Sequence, residues 1–450
     1  MNAFFSILKE KLGVSKAIAY TFLARAIQGV GGVVSIFFVT HFLSSEEQGY
    51  YYTFGSILSI QIFIELGLGG IITQFVAHEY AHLKVSDDCK LYGDVSHLSR
   101  LSSLVRFFAK WYILSSVILF ILLLIVGFKF FSTYSVDSGV IWNLPWLILA
   151  LATALNLLIS PIFAFIEGIN RVSDVAFIRL ITQIVSLIGV WSVLALGGKL
   201  YASAITSCFA FLVSVSLLYV SRNNIKILKN VFSAEVTESV SYLKEVFPYQ
   251  WRIALSWTSG YFIFQLFNPV LFAYCGPESA GQMGMTLTVL NSVLNLTLSW
   301  TSTNVPFWSS LIAMKKFDTL DLSFTKVLKS SSFVCLSGIL TFLLLLYLIY
   351  ALDLPLYNRF LPLYLAAIMS ITFFINNIVN AWATYLRCHK KEPFLIQAFV
   401  VGLCSALTTI LTAKFIGVEG VVIGYASVVA LVSLPLSYYI FKTKKVEYNV

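Results

Sequence analysis

Residues 15–75 read SKAIAYTFLARAIQGVGGVVSIFFVTHFLSSEEQGYYYTFGSILSIQIFIELGLGGIITQF, and this stretch decides the fold. It contains two apolar runs, each long enough to cross a bilayer, which takes about 20 residues of helix. A short polar turn, SSEEQG, separates them. Arg25 interrupts the first run and Glu65 the second. Because an ionisable side chain in hydrocarbon is costly, these two residues are the first functional candidates.

The composition extends this pattern to the whole chain of 450 residues. It is 58% hydrophobic and only 11% charged, with a mean hydropathy of +0.86. Soluble domains average about 45–50% apolar and about 25% charged residues. The sequence therefore predicts an all-α polytopic membrane protein. Twelve apolar runs are candidate spans: 17–42, 48–77, 108–131, 140–166, 175–197, 199–221, 250–274, 279–312, 330–352, 360–387, 394–415 and 419–441.

The basic residues orient these spans. Of the 30 Lys and Arg, most lie at the two termini and in every second loop. Four basic residues lie in loops on the opposite side of the membrane: Lys129, Lys199, Arg359 and Lys414. By the positive-inside rule the sequence predicts a multi-pass protein with both termini in the cytoplasm. The net charge of +9 is then an orientation signal, and no nucleic-acid partner is expected.

Other sequence features narrow the class further. The N-terminus has no cleavable signal pattern. The six Cys have no paired spacing, so neither a disulfide framework nor a Cys-based zinc site is predicted. Between the second and third spans, Leu98, Leu101, Val105 and Phe108 recur at helical spacing. This spacing favours a short helix, lying either on the membrane face or solvated in the loop.

The segment HEYAH, residues 78–82, matches the His-Glu-x-x-His pattern of zinc proteases. A third ligand would be required. Asp353 lies at the opposite membrane face, and Asp94 or His97 would serve only if the loop folded back. We therefore interpret the motif as interfacial anchoring at the end of the second span. No metal and no other cofactor is expected.

The chain also repeats itself weakly. SSEEQGYYYTFGSIL (44–58) aligns with GPESAGQMGMTLTVL (276–290), placing Gly49 on Gly281. EGINRVSDVAFIRLI (167–181) aligns with RCHKKEPFLIQAFVV (387–401), and the same offset places Gly197 on Gly417. An even number of spans in each half makes the copies parallel. The sequence predicts a six-helix bundle at 1–221, a cytoplasmic linker at 222–249 and a second bundle at 250–450 around a central cavity.

With these features the chain resembles the multidrug/oligosaccharidyl-lipid/polysaccharide (MOP) exporter superfamily. Within it, residues 15–75, with ELGLG in mid-membrane, and EGINR (167–171) are similar to the polysaccharide-export branch of O-antigen-type flippases. The resemblance implies a flippase for an undecaprenyl-diphosphate-linked oligosaccharide in a bacterial inner membrane. Such a protein works by alternating access and breaks no bond, so no catalytic residue is expected. Polysaccharide-assembly proteins and membrane lipids are its expected partners.

Polar residues within the spans are the candidate cavity residues. Arg25 and Glu65 lie at similar depth, so they form either a structural ion pair or a site where Arg25 meets phosphate. Gln28 and Gln61 lie on the same helix sides as these two charges. Glu65 is also the candidate for coupling to a proton or ion. The remaining candidates are Arg179, Arg252, Asn291, Asn295, Asn376 and Asn380.

Each of these residues has an alternative interpretation. Arg179 and Arg252 lie near the membrane edge, where a long side chain reaches the headgroups and anchors the span. Intramembrane Asn residues commonly hold helices together. Gly29, Gly31 and Gly32 serve either as a hinge or for close packing, and the GLGG of residues 67–70 offers the same choice.

Two other functions stay open at this point. A drug or cation antiporter of the same superfamily shares the architecture, although such proteins typically hold a cation with an acidic residue in the first span, where this chain has Arg25. A membrane glycan polymerase or ligase shares the hydropathy, but the outer loops here are too short for a catalytic domain. No Walker motif is present, so ATP is not expected to drive transport directly.

Overall fold

A computed structural model of the chain describes residues 16–86, 88–134, 139–389 and 391–448. The first half contains the helices α1 Lys16–Phe42, α2 Ser45–Leu58, α3 Ile62–Glu65, α4 Leu68–Tyr80, α5 Val95–Tyr134, α6 Asn143–Gly168, α7 Val172–Ala195, α8 Tyr201–Val220 and α9 Arg222–Ser233. A 3₁₀ turn, Ser59–Gln61, joins α2 to α3. The strands β1 Leu83–Val85 and β2 Leu91–Gly93 pair antiparallel as a small hairpin.

The second half continues with helices alone. They are α10 Phe247–Phe264, α11 Phe267–Cys275, α12 Pro277–Ala313, α13 Phe317–Ala351, α14 Leu363–Arg387, α15 Leu395–Phe415, α16 Val418–Val428 and α17 Leu434–Tyr448. Short π-helical turns at Tyr242–Val246 and Val429–Ser433 precede α10 and α17, and a 3₁₀ turn at Pro355–Arg359 precedes α14. The predicted all-α polytopic membrane fold is confirmed.

Ten helical segments within the described ranges are long and apolar enough to cross a membrane. They correspond to predicted spans one to six and nine to twelve. The segments predicted as spans seven and eight fall outside this set. The seventh is divided into α10 and α11, and α12 carries amide and hydroxyl side chains along its 37 residues.

The loop between the second and third spans differs from the prediction. Residues 98–108 are no separate surface helix but the first turns of the 40-residue helix α5. Leu101 is fully buried and Phe108 is 2% exposed, and Ser102 and Arg106 on this part of α5 donate hydrogen bonds to the carbonyl oxygens of Ala234 and Phe232 at the end of α9. The 222–249 segment is also attached to α5 by hydrogen bonds. Ser99 Oγ accepts hydrogen bonds from the backbone N–H groups of Thr237 (2.7 Å) and Glu238 (2.8 Å).

The chain folds into two compact units. The first comprises Met1–Ile27, Ile60–Phe131 and Ile141–Trp257. In it α8 packs on α6 and α7, and α6 also packs on α4. Trp146 is fully buried on α6, and its Nε1 donates to the carbonyl oxygen of Leu123 at 3.1 Å. This bond satisfies a polar group that burial would otherwise leave without a partner.

The second unit comprises Gln28–Ser59, Ser132–Val140 and Thr258–Val450. Its central helix is α12, which packs against α2, α11, α13 and α14. An aromatic cluster of Trp308, Phe324 and Tyr385 fills the core at one end. This unit includes residues 28–59 of the first half, and the division into bundles at 1–221 and 250–450 stays a prediction.

Two pairs of glycines from the repeat adopt comparable positions. Gly197 follows α7 with φ of +78°, and Gly417 follows α15 with φ of +82°. Both turns therefore use a backbone conformation that favours glycine. Gly49 and Gly281 lie at the crossing of α2 and α12, where a Cβ on Gly281 would be 3.0 Å from the Gly49 nitrogen. A Cβ on Gly49 would overlap the carbonyl group of Pro277.

Polar groups fasten this crossing beside the glycines. The side-chain amide of Gln48 donates to the carbonyl oxygens of Gly281 (2.8 Å) and Arg359 (3.0 Å). Arg359 in turn donates from Nη2 to the carbonyl oxygen of Leu43 at 2.6 Å. Further along, Asn268 Nδ2 donates to Ser56 Oγ at 3.1 Å. The close approach allowed by glycine thus brings backbone acceptors within reach of side-chain donors.

We predict that Gly49→Ala lowers the thermal midpoint of the detergent-solubilised protein, whereas Gly55→Ala on the same helix does not. The added methyl group at residue 49 meets backbone, which cannot move aside, but the site at residue 55 has no atom within 4 Å. Overpacking of this kind costs about 1–3 kcal/mol. Equal thermal midpoints for the two variants would contradict the close crossing of α2 and α12.

Candidate functional site

The second apolar segment, Ser45–Tyr80, is broken next to Glu65. Helix α3 ends at Glu65, and Leu66 (φ +48°) and Gly67 (φ +71°) both adopt left-handed conformations before α4 starts at Leu68. A non-glycine residue in such a conformation costs about 1–3 kcal/mol and persists only where its surroundings impose it. A Cβ at Gly67 would overlap the side chain of Ile253. Gly67 therefore provides both a conformation and the space for a neighbouring helix.

The carboxylate of Glu65 lies at this break and is only partly buried. The hydrogen bonds described for it come from Gln61 Nε2 at 3.4 Å and Ser160 Oγ at 3.5 Å. Both are long compared with the usual 2.7–3.2 Å, so they hold the carboxylate weakly. Lone pairs on Glu65 are left to accept a proton or a small cation.

A buried hydroxyl group adds to the polar surroundings of Glu65. Tyr112 on α5 is 1% exposed, and its hydroxyl lies beside Ser160 and near the carboxylate of Glu65. A buried hydroxyl normally finds a hydrogen-bond partner, and Ser160 is the neighbour available to it. Tyr112 and Ser160 were not among the sequence candidates, since only their neighbours in the fold distinguish them from other hydroxyl-bearing residues.

Arg25 and Gln28 lie three residues apart on α1, and both side chains are exposed. The glycines that follow, Gly29 and Gly32, lie in close contact with α12. A Cβ on Gly32 would lie 2.9 Å from Ser292 Oγ, and one on Gly29 would contact Leu296. Of the two uses considered for these glycines, the structure thus shows close packing against α12.

Of the two arginines predicted near the membrane edge, the structure describes the side chain of Arg179. Arg179 on α7 is 60% exposed and forms a 3.0 Å ion pair with Glu167 at the end of α6. This pairing suits an anchor at the membrane edge. Arg252 lies on α10, and its side chain lies outside the described part of the structure.

The asparagines of the second unit fall into two groups. Asn291 and Asn295 on α12 are exposed. Asn376 on α14 is 7% exposed, and its Nδ2 donates to the hydroxyl of Tyr425 at 3.1 Å. Asn380 Nδ2 donates to the carbonyl oxygen of Asn376 at 2.9 Å. The first pair keeps its amides accessible, whereas Asn376 holds α14 against α16.

The protease-like segment has a structural role. The loop does fold back, through the β1–β2 hairpin, and brings His97 to Glu79. Glu79 is 2% exposed and accepts from His97 Nδ1 at 2.6 Å and from Arg100 Nε at 3.0 Å. With both partners in place its carboxylate is not available as a general base. Among the described residues no group of three or more His, Cys, Asp and Glu is arranged to hold a metal ion.

Arg100 extends this contact into an ion-pair chain, which we name the clasp: Glu79, His97, Arg100 and Glu245. Arg100 Nη2 donates to Glu245 Oε2 at 2.7 Å, and Glu245 Oε1 accepts from the backbone N–H of Ser241 at 2.9 Å. The Ser241 N–H, together with Arg100, holds the pKa of Glu245 below its ordinary value of 4.5. The clasp joins the end of α4, the start of α5 and the segment before α10.

Comparison with solved structures shows which known fold the chain has. The chain is similar to an inward-facing multidrug resistance MATE family transporter of the MOP superfamily, with 14% identity, a TM-score of 0.62 and 95% of each chain covered. It is also similar to the lipid II flippase MurJ in an inward closed conformation, with 15% identity and a TM-score of 0.59 over 96% of this chain and 89% of that one. The chain thus has the fold of MOP superfamily transporters.

A third similar structure is a MOP superfamily transporter from Pyrococcus furiosus, whose binding pocket is described as having reversed polarity. It shares 11% identity and a TM-score of 0.55, over 96% of this chain and 95% of that one. No protein-family model matches the chain, and no curated protein matches it by sequence. The three structures compared are described as two transporters and a flippase.

We predict that Glu79→Gln destabilises the protein by about 1–3 kcal/mol, because it leaves Arg100 and His97 facing a buried neutral amide. Thermal unfolding in detergent at neutral pH measures this loss. Glu235→Gln is the matched control, since it removes the same charge from an exposed side chain. A Glu79→Gln variant as stable as Glu235→Gln would contradict the clasp.

The clasp also predicts a pH dependence. Because the folded-state pKa of Glu245 is depressed, its contribution is complete well above the ordinary value of 4.5 and is lost as the pH falls through the folded-state value. Glu245→Gln is therefore expected to destabilise the protein at pH 7 and to have a smaller effect at pH 4. Its 34% exposure limits the size of both effects. A Glu245→Gln effect that is the same at both pH values would rule this contribution out.

Proposed function

We propose that this chain flips an undecaprenyl-diphosphate-linked oligosaccharide, the repeat unit of O-antigen or a related polysaccharide, from the cytoplasmic to the outer leaflet by alternating access. The physical task is to carry a diphosphate and polar sugars across about 30 Å of hydrocarbon. A transporter of the MOP fold that has a cation and amides along its spans is suited to this task. The lipid tail stays in the bilayer while the headgroup passes.

The observation that carries the proposal is the exposure of Arg25, the tenth residue of the membrane-spanning helix α1. An arginine at such a depth costs at least about 2.5–3.5 kcal/mol unless it meets water or a partner. A guanidinium is well matched to phosphate, since its N–H groups donate two parallel hydrogen bonds. We assign Arg25 to the diphosphate and the exposed amides Gln28, Asn291 and Asn295 to the sugars.

Glu65 is the proposed coupling residue. Its carboxylate is weakly held by Gln61 and Ser160, and it lies where the second span is broken. Discontinuous helices in transporters commonly contribute to ion and substrate sites, because their ends leave backbone groups available. A proton or small cation bound at Glu65 changes the local charge by one unit. That change is a means of linking transport to an ion gradient.

Drug or cation antiport is the second candidate function. The observation that favours it is Glu65 itself, an acidic group inside a span, together with the likeness to multidrug MATE transporters. Arg25 argues against a cationic substrate, because a cation in the first span repels one. The MOP fold accommodates pockets of different polarity, as the Pyrococcus furiosus transporter illustrates.

The surroundings of the proposed transporter follow from the flippase assignment. We place it in a bacterial inner membrane with both termini in the cytoplasm, in agreement with the distribution of Lys and Arg. Polysaccharide-assembly proteins that make and consume the lipid-linked repeat unit are its proposed partners.

The flippase assignment predicts that Arg25→Gln slows transport at least about tenfold, the effect of losing one charge-assisted hydrogen bond. Proteoliposomes containing undecaprenyl-diphosphate-linked oligosaccharide provide the assay, with accessibility to an added glycosidase scored in each leaflet. Arg25→Lys is expected to keep part of the activity. Lys414→Gln, an exposed cation at the far end of α15, is the control for charge removal.

Two outcomes would contradict the assignment. One is an Arg25→Gln variant that flips the oligosaccharide at the wild-type rate. The other is a wild-type protein that leaves the lipid-linked oligosaccharide in place but exports a cationic dye from cells, which would support antiport instead.

Coupling through Glu65 predicts that Glu65→Gln removes the response of transport to an imposed pH or sodium gradient. The amide keeps the shape and hydrogen bonds of the side chain but cannot exchange a proton or balance a cation. Rates are compared with and without each gradient in the same proteoliposomes. Ser160→Ala removes one of the weak bonds but keeps the carboxylate, so it should retain the response. An unchanged gradient response in Glu65→Gln would exclude this role.

A further inference from the structure

Helix α9, Arg222–Ser233, has three different faces, and one of them is buried inside the protein. Its sequence is RNNIKILKNVFS, which contains no acidic residue. Asn224, Ile227 and Val231 are buried and form the inner face. On the other two faces Arg222, Lys226, Lys229 and Phe232 are exposed, whereas Ile225 and Leu228 are partly buried.

The two outer faces meet along the length of the helix. At about 100° per residue, Arg222, Lys226 and Lys229 fall within an arc of about 60°, and we name them the basic flank. Ile225, Leu228 and Phe232 fall within a neighbouring arc of similar width, and we name them the apolar flank. All three cations are exposed, and Phe232 is 48% exposed although it is aromatic.

Several hydrogen bonds fix the orientation of these flanks. On the inner face, Asn224 Oδ1 accepts from Arg171 Nη1 at 2.6 Å and its Nδ2 donates to Asp174 at 3.1 Å. Asn230 Oδ1 accepts from the backbone N–H of Leu91 in β2 at 3.0 Å. Helix α9 is therefore held at its start by the beginning of α7 and near its end by the hairpin.

The end of α9 is fastened as well. Arg106 donates to the carbonyl oxygens of Phe232 (2.9 Å) and Ala234 (2.8 Å), and its guanidinium lies 5.7 Å from the centroid of the Phe232 ring. These bonds hold the backbone at the apolar flank while the Phe232 ring stays exposed. The two flanks are thus presented in one fixed orientation.

The position along the chain identifies the surroundings of α9. A single residue, Ser221, separates it from the membrane-spanning helix α8. The last residues of α8, Tyr219 and Val220, are 68% and 74% exposed, as expected for side chains that face lipid. The apolar flank of α9 therefore begins within a few residues of the exposed end of a membrane-spanning helix.

We propose that α9 is a binding site for anionic phospholipid headgroups in the leaflet at that end of α8. The apolar flank enters the boundary of the acyl chains, and the basic flank contacts the phosphates immediately above it. A neutral lipid surface can bury the apolar flank, but only an anionic one also pairs with the charges of the basic flank. This inference uses the membrane fold and is independent of which substrate is transported.

The test compares lipid binding by the full chain and by a variant with Arg222→Gln, Lys226→Gln and Lys229→Gln. Native mass spectrometry of the detergent-solubilised protein, titrated with phosphatidylglycerol or phosphatidylcholine of the same acyl chains, gives the affinity for each lipid. The wild type is expected to prefer phosphatidylglycerol, and the triple variant to lose roughly tenfold or more of that preference. Added salt should weaken the preference in the wild type only.

The matched control removes three cations elsewhere, by Lys316→Gln, Lys326→Gln and Lys329→Gln around α13. Those lysines are also exposed, but Asp318 and Asp321 lie among them. The control is expected to keep the wild-type preference. Phe232→Ser should weaken binding of both lipids and leave the preference for phosphatidylglycerol, because it alters the apolar flank alone.

Two results would overturn the proposal: a triple α9 variant with the wild-type preference, or a control that loses as much preference as the α9 variant does. If the triple variant does not purify as a monodisperse protein, Lys226→Gln with Lys229→Gln is used, since both side chains are exposed. An absence of any lipid preference in the wild type would also refute the site and would favour an acidic protein segment as the partner of the basic flank.

Discussion

The structure depends on one constraint, which is that polar groups inside a bilayer need a partner or water. The break at Leu66 and Gly67 interrupts the backbone hydrogen bonds of the second span, and two consecutive left-handed residues are needed to make it. Such an arrangement is retained only where neighbouring helices support it, as Ile253 does beside Gly67. Glu65 lies at this point, held by two long hydrogen bonds. A costly backbone conformation and an ionisable group thus occur together, and this coincidence is typical of functional sites rather than of helix packing.

The same constraint explains which features could be predicted from the sequence. Hydropathy located α1 and α5–α8 to within a few residues, apart from the start of α5, because a bilayer of fixed thickness requires apolar helices of fixed length. The glycine match between residues 197 and 417 was also informative, since both turns need a positive φ. The break after Glu65 could not be predicted, because GLGG suits a continuous helix with close contacts as well as a hinge. The contribution of Tyr112 depends on a contact between helices that no sequence spacing encodes.

The segment HEYAH shows how the same residues take on a different role in a different environment. The spacing of its two histidines would suit a metal, but the hairpin brings Arg100 and His97 to the carboxylate instead. His82 stacks on His97 with ring centroids 4.0 Å apart, while His78 remains exposed. A buried carboxylate needs compensating donors, and once it has a guanidinium and an imidazole it serves as a structural anchor. The motif was therefore correctly assigned to the end of a span, but the sequence did not reveal that its glutamate organises the loop.

The clasp and α9 together change the interpretation of residues 222–249. The sequence predicted a linker between two bundles, and a linker is commonly a flexible tether. Here the segment is held by Asn224 and Asn230 in α9, by Ser99 and Arg106 of α5, and by Arg100 at Glu245. It belongs to the first unit along its whole length, and the chain passes into the second unit only within α10, after Trp257. These contacts hold the segment within the first unit, so residues 222–249 are a folded part of that unit rather than a free tether.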